Sequence, residues 1–244
     1  MEVLGIDVGG TGIKGAIVNV ESGELVSEKH RVPTPKGAKP QDIADEVAEI
    51  VSHFNWKGKI GCGFPSIISH GVALSSGNIH KSWRGLNVEE LFSQRTGLDF
   101  KVANDADVAG LASMCFGTGK GEQGLVFMIT IGTGLGSGAF YNGELLPNFE
   151  LGTLPYKKYK QIEHYAADSA RKRDNLTYEE WGNRFNKFLK IIELMFSPDL
   201  IILGGGASKK IDKFKDQLTI KTRILPAQFE NNAGIVGAAM LFKK

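Results

Sequence analysis

Residues 7–19, DVGGTGIKGAIVN, and residues 130–142, TIGTGLGSGAFYN, resemble each other and decide the fold. Each copy has an apolar strand, a turn rich in Gly and Thr, and a second strand. The offset is 130 − 7 = 123 residues, about half of the 244-residue chain. Any two β-hairpins with glycine turns share some of these features, but a repeat at half the chain length favours duplication. The sequence therefore predicts two similar domains, each with one glycine-rich turn.

Both turns are predicted to bind phosphate. Glycine after a strand allows close backbone approach to a ligand, and successive N–H groups in such a turn bind phosphate oxygens. Neither turn is a GxxxxGK[ST] loop or a GxGxxG that opens a helix, because a second strand follows. The predicted ligands of a phosphoryl donor are Gly9, Gly10, Thr11, Gly12 and Lys14 in the first copy and Thr133 and Gly134 in the second. Lys14 has an equally supported alternative as a solvated strand residue.

Asp7 ends the first strand, directly before the first glycine turn. An ionised carboxylate at the end of a buried strand is costly unless it meets a cation, so we expect Asp7 to hold Mg²⁺ directly or through water. The alternative is that Asp7 accepts hydrogen bonds from amides of the following turn.

A third glycine run, Gly204–Gly206, follows the apolar segment 200–203, and a helix is expected to begin at Ala207-Ser208. Glycines before a helix suit close approach of a phosphate chain. Further predicted donor ligands are Gly205, Gly206, Ser208 and Lys209. Lys209 and Lys210 would lie at the end of the helix dipole that disfavours cations, where an anionic ligand would compensate. Lys157, Lys158 and Lys160 extend the basic character, although a solvated surface explains them equally well.

Asn104-Asp105 separates a short strand, residues 100–103, from a helix over residues 106–116. Phosphoryl transfer to an alcohol needs a carboxylate that takes or orients the hydroxyl proton, and Asp105 is the predicted catalytic base. Asp105 also suits the N-cap of the helix, and the two roles are compatible. Glu150 and Glu163 are candidate ligands for sugar hydroxyls.

The composition, 42% hydrophobic and 23% charged, is that of an ordinary soluble globular protein. The net charge of +2 gives no support for nucleic-acid or membrane partners. Two distant cysteines, Cys62 and Cys115, support neither a disulfide framework nor a zinc knuckle. The N-terminal segment lacks the features of a signal peptide, and a cytoplasmic location is expected.

Strands and helices alternate along the chain, so the fold class is α/β. A third strand is expected over Leu25–Val32, a helix from about Ile162 to Arg171, and the last strand over Ile220–Leu225. Capping boxes are predicted at Asn87 and at Thr177. The glycine-rich segment 117–124 is the candidate domain boundary. The predicted domains are residues 1–116 and 117–231, with a C-terminal helix over residues 232–244.

Six stretches, in order, carry a family resemblance across nearly the whole chain: DVGGTGIKG, ANDAD, ITIGTGLGSG, ELG, LGGGAS and NNAGIVGAA. Together they resemble the ROK family of sugar kinases, and within it the polyphosphate glucokinases. The resemblance implies a duplicated actin-like (ribonuclease-H-like) ATPase fold, with two domains around a cleft and the C-terminal helix packed on the first domain. It implies Asp105 as general base, Asn104, Glu150 and Glu163 as sugar ligands, and a homodimer. The implied reaction is Mg²⁺-assisted phosphoryl transfer from polyphosphate or ATP to the 6-hydroxyl of glucose.

Two departures from the family pattern matter. The cysteine-rich zinc loop of typical members is replaced by TLPYKKYKQIEHY, so no zinc site is expected. The family's ELGH is Glu150-Leu151-Gly152-Thr153, and Thr153, as a sugar ligand, reaches less far than His. Alternatives therefore stay open: an ATP-dependent kinase for another hexose such as mannose, or a non-catalytic sugar sensor. An actin-like filament protein would share the two turns but would not need Asn104-Asp105.

Overall fold

The computed structural model describes residues 1–76, 79–228 and 232–243. Contacts divide the chain into two compact units. The first contains residues 1–116 and 231–244, and the second contains residues 117–230.

The first unit is built on a five-stranded mixed sheet. Its strands are β1 (Glu2–Val8), β2 (Ile13–Asn19), β3 (His30–Val32), β4 (Ile60–Phe64) and, after a small hairpin of β5 (Ile68–Ser69) and β6 (Val72–Ala73), β7 (Phe100–Asn104). The sheet order is β3-β2-β1-β4-β7. The first three strands run antiparallel, whereas β1, β4 and β7 run parallel, so the carboxyl ends of these last three strands meet at one edge.

The second unit repeats this sheet. Its strands are β8 (Leu125–Ile131), β9 (Leu135–Tyr141), β10 (Glu144–Leu146), β11 (Leu200–Gly204) and β12 (Arg223–Pro226). The order is β10-β9-β8-β11-β12, with the same pattern of antiparallel and parallel pairs. The duplicated α/β architecture expected from the two glycine turns is confirmed.

The sequences suggested that the two copies align without a gap, but the structure shows a difference of one residue between them. Strand β8 follows β1 at an offset of 123 residues (Glu2 to Leu125), but β9 follows β2 at 122 (Ile13 to Leu135). The turn between the strands has four residues in the first unit and three in the second. Because side chains alternate faces along a strand, the one-residue difference decides which side chains are equivalent.

The described part of the chain contains seven α-helices. In chain order they are α1 (Pro40–His53), α2 (Val88–Thr96), α3 (Asp105–Phe116), α4 (Glu163–Ala166), α5 (Asp168–Arg173), α6 (Tyr178–Phe196) and α7 (Ala233–Met240). The capping box at Thr177 is confirmed by reciprocal bonds with Glu180. At Asn87 the side chain accepts from the Glu90 N–H at 3.1 Å. None of the described helices has both the length and the apolar character needed to cross a bilayer.

Helix α7 packs backbone to backbone within the first unit, and glycine makes this possible. A Cβ on Gly5 of β1 would lie 2.1 Å from the Ile235 carbonyl oxygen, and one on Gly61 of β4 would lie 1.8 Å from that of Ala238. Gly237 approaches α3 equally closely. The small residues of α7 therefore bring it against β1, β4 and α3, next to the carboxyl ends of the parallel strands.

Three predicted elements were wrong in extent. The strand expected over Leu25–Val32 is limited to β3, because the Ser27 hydroxyl accepts the Ile17 N–H at 2.9 Å in place of a ladder partner. The helix expected over Ile162–Arg171 breaks at extended Ala167, where the buried Trp181 indole N–H bonds the Ala166 and Ala167 carbonyls. The last strand begins only at Arg223.

Candidate active site

The first unit gathers Asp7 and Asn104-Asp105 at one sheet edge. Asp7 lies level with Gly63 of β4, and Gly63 lies level with Ala103 of β7. Neighbouring strands are about 4.8 Å apart, so Asp7 and the end of β7 are separated by two strand spacings, roughly 10 Å. The carboxyl ends of parallel strands are where ligands bind in α/β sheets.

Asn104, rather than Asp105, caps helix α3. The Asn104 Oδ1 accepts the N–H groups of Ala106 at 2.8 Å and Asp107 at 3.3 Å, and its Nδ2 donates to the Ser66 carbonyl at 3.1 Å. Asn104 is buried, whereas Asp105 is exposed and its Oδ1 accepts from the Ala106 N–H at 2.8 Å. The capping role considered for Asp105 therefore falls mainly to its neighbour, and the Asp105 carboxylate lies at the exposed start of α3.

Asp7 faces a cation supplied by the neighbouring strand. Lys14 lies directly opposite Asp7 in the β1–β2 ladder, and its Nζ is 3.9 Å from Asp7 Oδ2. Burial raises the pKa of Asp7, and the Lys14 charge partly opposes that rise. In the described residues, no amide of the following turn donates to Asp7, so the alternative of a self-capped turn is not supported. Gly234 of α7 closes the other side, because a Cβ there would lie 2.7 Å from the Asp7 Cγ.

The first glycine turn is braced from outside the sequence motif. Gly9 N–H bonds the Gly12 carbonyl at 3.1 Å across the turn. Thr34 Oγ1 donates to the Gly9 carbonyl at 2.5 Å, and Arg31 Nη2 donates to the Thr11 carbonyl at 2.7 Å. These two side chains hold the turn through its carbonyls, and Gly10 and Thr11 remain exposed.

The second glycine turn has a matching brace in the second unit. Gly132 N–H bonds the Gly134 carbonyl at 3.0 Å, and Ser169 Oγ donates to the Thr133 carbonyl at 2.5 Å. Sequence reasoning missed Thr34, Arg31 and Ser169. Nothing in their local sequence marks them, because each lies 20 or more residues from the turn carbonyl that it contacts.

The third glycine run joins the second turn. Ala207 N–H bonds the carbonyl of Ile131, the last residue of β8, at 3.2 Å. Gly205 has φ of 79°, and Ser208 Oγ donates to its carbonyl at 2.7 Å. The structure thus brings Thr133 and Gly134 to the same edge as Gly205–Ser208, the other predicted donor ligands of the second unit.

The helix expected after Ala207 is wrong in type. Residues Ser208–Lys213 form an irregular 3-10 segment, in which Lys210 has non-helical φ and ψ of −115° and 24°. An interrupted segment of this kind has no sustained dipole. The unfavourable helix-end position inferred for Lys209 and Lys210 is therefore absent, although both side chains are exposed.

Glu150, Glu163 and Thr153 form the candidate sugar group of the second unit. Glu163 Oε2 accepts the Leu135 N–H at 3.2 Å and packs over Gly134, so this carboxylate also supports the second turn. Thr153 is exposed, and its hydroxyl donates to the Glu150 carbonyl at 2.7 Å. Burial raises the pKa of Glu150 above its ordinary value, and the Glu163 charge adds to the rise.

The raised pKa of Glu150 predicts a pH-dependent gain in stability for Glu150→Gln. A folded-state pKa above the unfolded value means that folding favours the protonated form, so the contribution to stability is lost as pH rises through the folded pKa. We expect the variant to have a higher Tm than wild type at about pH 8. The difference in Tm should shrink toward pH 4.5, the ordinary pKa of a glutamate carboxyl. Thermal unfolding across this range measures it. Exposed Glu144→Gln is the control, and an equal gain there contradicts the expectation.

Known sequences similar to this chain match it over most of its length. The sequence profile of the ROK family matches residues 3–147. A polyphosphate glucokinase of Mycobacterium tuberculosis (strain CDC 1551 / Oshkosh) is 42% identical over 238 residues, which cover 97% of this chain and 89% of that protein.

Solved structures agree with the observed architecture. An inorganic polyphosphate/ATP-glucomannokinase from Arthrobacter sp. strain KM superposes with a TM-score of 0.92 at 42% identity, covering 98% of this chain and 97% of the other. A ROK family glucokinase from Streptomyces griseus, solved in complex with glucose and AMPPNP, has a TM-score of 0.82 at 24% identity and covers 99% of each chain. The second likeness concerns the fold alone.

Proposed function

Since the chain belongs to the ROK family, we propose that it is a kinase transferring a phosphoryl group from inorganic polyphosphate or ATP to the 6-hydroxyl of glucose. The observation that carries this proposal is the exposed Asp105 carboxylate at the carboxyl end of β7, held by the Asn104 cap, in a chain 42% identical to a polyphosphate glucokinase. The enzyme is a phosphotransferase with an alcohol acceptor. We further propose that it works in the cytoplasm as a homodimer, without nucleic-acid or membrane partners.

Asp105 is assigned as the general base. Its carboxylate accepts the proton of the sugar hydroxyl as that oxygen attacks phosphorus, and accurate placement supplies much of the catalytic effect. Asn104 is assigned to sugar binding as well as capping. Glu150 and Glu163 are assigned to other sugar hydroxyls, because ionised carboxylates accept hydrogen bonds strongly. Thr153 completes the proposed sugar set.

The donor is assigned to the glycine turns. Backbone N–H groups of the first turn (Gly9, Gly10, Thr11 and Gly12) and of Thr133, Gly134, Gly205 and Gly206 are proposed to bind phosphate oxygens. Lys14, Lys209 and the Ser208 region complete the set. Asp7 fits Mg²⁺, which is commonly bound through one or two carboxylates, several waters and substrate phosphates. When bound, the ion neutralises charge on the transferring phosphoryl group.

A coupled assay for glucose 6-phosphate tests the proposal. Purified protein is supplied with glucose, Mg²⁺ and either polyphosphate or ATP, and initial rates are compared. Glucose 6-phosphate formed from at least one donor supports the function. Its absence with both donors, while another hexose is phosphorylated, moves the assignment to that sugar. If no hexose is phosphorylated, the proposal of an enzyme is replaced by that of a non-catalytic sugar sensor.

Mannose is the second candidate acceptor, because the Arthrobacter protein, which is also 42% identical to this chain, is a glucomannokinase. Thr153 bears on this choice, since its hydroxyl is engaged with the Glu150 carbonyl at 2.7 Å. We expect Thr153→His, which restores the family residue, to lower the KM for glucose by roughly 2- to 10-fold, the worth of one net hydrogen bond. Steady-state kinetics with glucose and mannose measure the change. Thr153→Val is the matched control, and an unchanged KM in Thr153→His counts against a sugar contact at this position.

A further inference from the structure

Three charged residues form a row across the first sheet. Asp7 pairs with Lys14 in the β1–β2 ladder, and Lys14 pairs with Arg31 in the β2–β3 ladder. Residues directly opposite each other in adjacent strands project from the same face. The row therefore places a carboxylate, an ammonium and a guanidinium side by side, next to the first glycine turn. The sequence prediction included the first two residues and not Arg31.

The Arg31 guanidinium lies on the glycine turn itself. Its Nη2 donates to the Thr11 carbonyl at 2.7 Å. A Cβ at position 12 would lie only 2.5–2.6 Å from Nε, Nη2 and Cζ of Arg31. Gly12 therefore makes room for the guanidinium, in addition to any close approach of a phosphate. Because Gly12 does not have a positive φ, space rather than backbone conformation explains the glycine.

The charge of Arg31 is available to an anion. The side chain is exposed, and no ion pair joins it to an acidic residue anywhere in the described ranges. The carboxylate of the row, Asp7, pairs with Lys14, whose Nζ is 3.9 Å from Asp7 Oδ2. A guanidinium has five N–H donors in a planar fork that matches phosphate oxygens, and the bond to Thr11 uses one of them.

We propose that Arg31 is a donor-binding residue: it holds the first glycine turn through the Thr11 carbonyl and binds phosphate oxygens of the donor with its remaining N–H groups. The inference rests on the proposed function and names a specific residue of the donor site. The competing explanation is that Arg31 only braces the turn. The two explanations differ in whether the positive charge matters.

Substitutions separate charge from bracing. Arg31→Gln keeps N–H donors but loses the charge and has a shorter side chain, whereas Arg31→Lys keeps the charge and most of the length but loses the planar fork. We expect Arg31→Gln and Arg31→Ala to raise the KM for polyphosphate and for ATP by about 10-fold, the effect of a lost charge-assisted bond, with the KM for glucose within about 2-fold of wild type. Arg31→Lys should recover part of the loss. Added salt should weaken donor binding less in Arg31→Gln than in wild type.

Direct binding keeps this test separate from the reaction. Titration calorimetry with inorganic tripolyphosphate and with ATP is run on the full-length wild type, the three Arg31 variants and Arg95→Gln. Arg95 is an exposed arginine of the same unit whose Nε is 2.6 Å from Asp45 Oδ1, and its loss should leave donor affinity unchanged. If the wild type binds tripolyphosphate through Arg31 but phosphorylates no sugar, the inference stands and the proposed function falls.

Two outcomes overturn the inference. One is unchanged donor affinity in Arg31→Gln and Arg31→Ala, which would leave Arg31 as a brace only. The other is a wild-type protein that binds neither tripolyphosphate nor ATP. Gly12→Ala adds an internal check, because its methyl group displaces the guanidinium: combined with Arg31→Ala, it should weaken donor binding by much less than the product of the single effects.

Discussion

Asp105→Asn is expected to lower kcat for glucose phosphorylation by about a thousandfold, within the range of 10²–10⁴ that general bases contribute. Asparagine has the same shape, and its side-chain oxygen can still accept the Ala106 N–H that Asp105 Oδ1 accepts at 2.8 Å. Asn104 continues to cap α3. The substitution therefore removes the basic carboxylate and leaves the helix start intact. Initial rates with saturating glucose and donor measure the loss.

The KM values and the fold serve as controls for Asp105→Asn. The KM for glucose and the affinity for tripolyphosphate should change little, and the far-ultraviolet circular dichroism spectrum and Tm should match those of wild type. A kcat within about 10-fold of wild type would mean that another group accepts the proton. A large change in Tm would mean that the loss of rate reports on structure.

Gly237→Ala is expected to destabilise the first unit by about 3 kcal/mol, at the upper end of the usual cost of overpacking. The added Cβ would lie 1.6 Å from the Val108 carbonyl oxygen, so α3 and α7 must separate. Alanine has a higher helix propensity than glycine by about 1 kcal/mol, which offsets only part of this cost. Urea unfolding followed by circular dichroism measures the difference.

Gly206→Ala is the matched stability control for Gly237→Ala. Gly206 does not have a positive φ, and no atom lies within 4 Å of its Cβ position, so its stability should stay within about 0.5 kcal/mol of wild type. Equal stability of both variants would contradict the close packing of α7 against α3. Because α7 also covers β1 and β4, Gly237→Ala is expected to lower activity as well.

The duplicated fold could be predicted from the sequence because its signal is local and periodic. Two apolar strands around a glycine turn occur twice, and each turn lies in the structure where the repeat placed it, between β1 and β2 and between β8 and β9. The shorter second turn could not be read from the ungapped match, because Gly-Ala pairs recur in both copies at the same spacing.

Where the predicted extent of an element was wrong, side chains distant in sequence determine the observed end of that element. Ser27 replaces a ladder bond to Ile17 and shortens β3, and the Trp181 indole N–H bonds the Ala166 carbonyl, which would otherwise accept a backbone bond if helix α4 continued. The candidate site divides in the same way. Asp7, Asp105 and the glycine turns are marked by their own neighbours, whereas Thr34, Arg31 and Ser169 reach the turns only after the chain has folded.

A phosphorus NMR spectrum of the product tests most directly whether this protein phosphorylates glucose through Asp105. Wild-type protein and Asp105→Asn are incubated separately with glucose, Mg²⁺ and polyphosphate, and then with ATP as donor. The expected result is glucose 6-phosphate from the wild type with at least one donor and almost none from Asp105→Asn over the same time. Glucose 6-phosphate formed at similar rates by both proteins, or no phosphorylated glucose from the wild type with either donor, would contradict it.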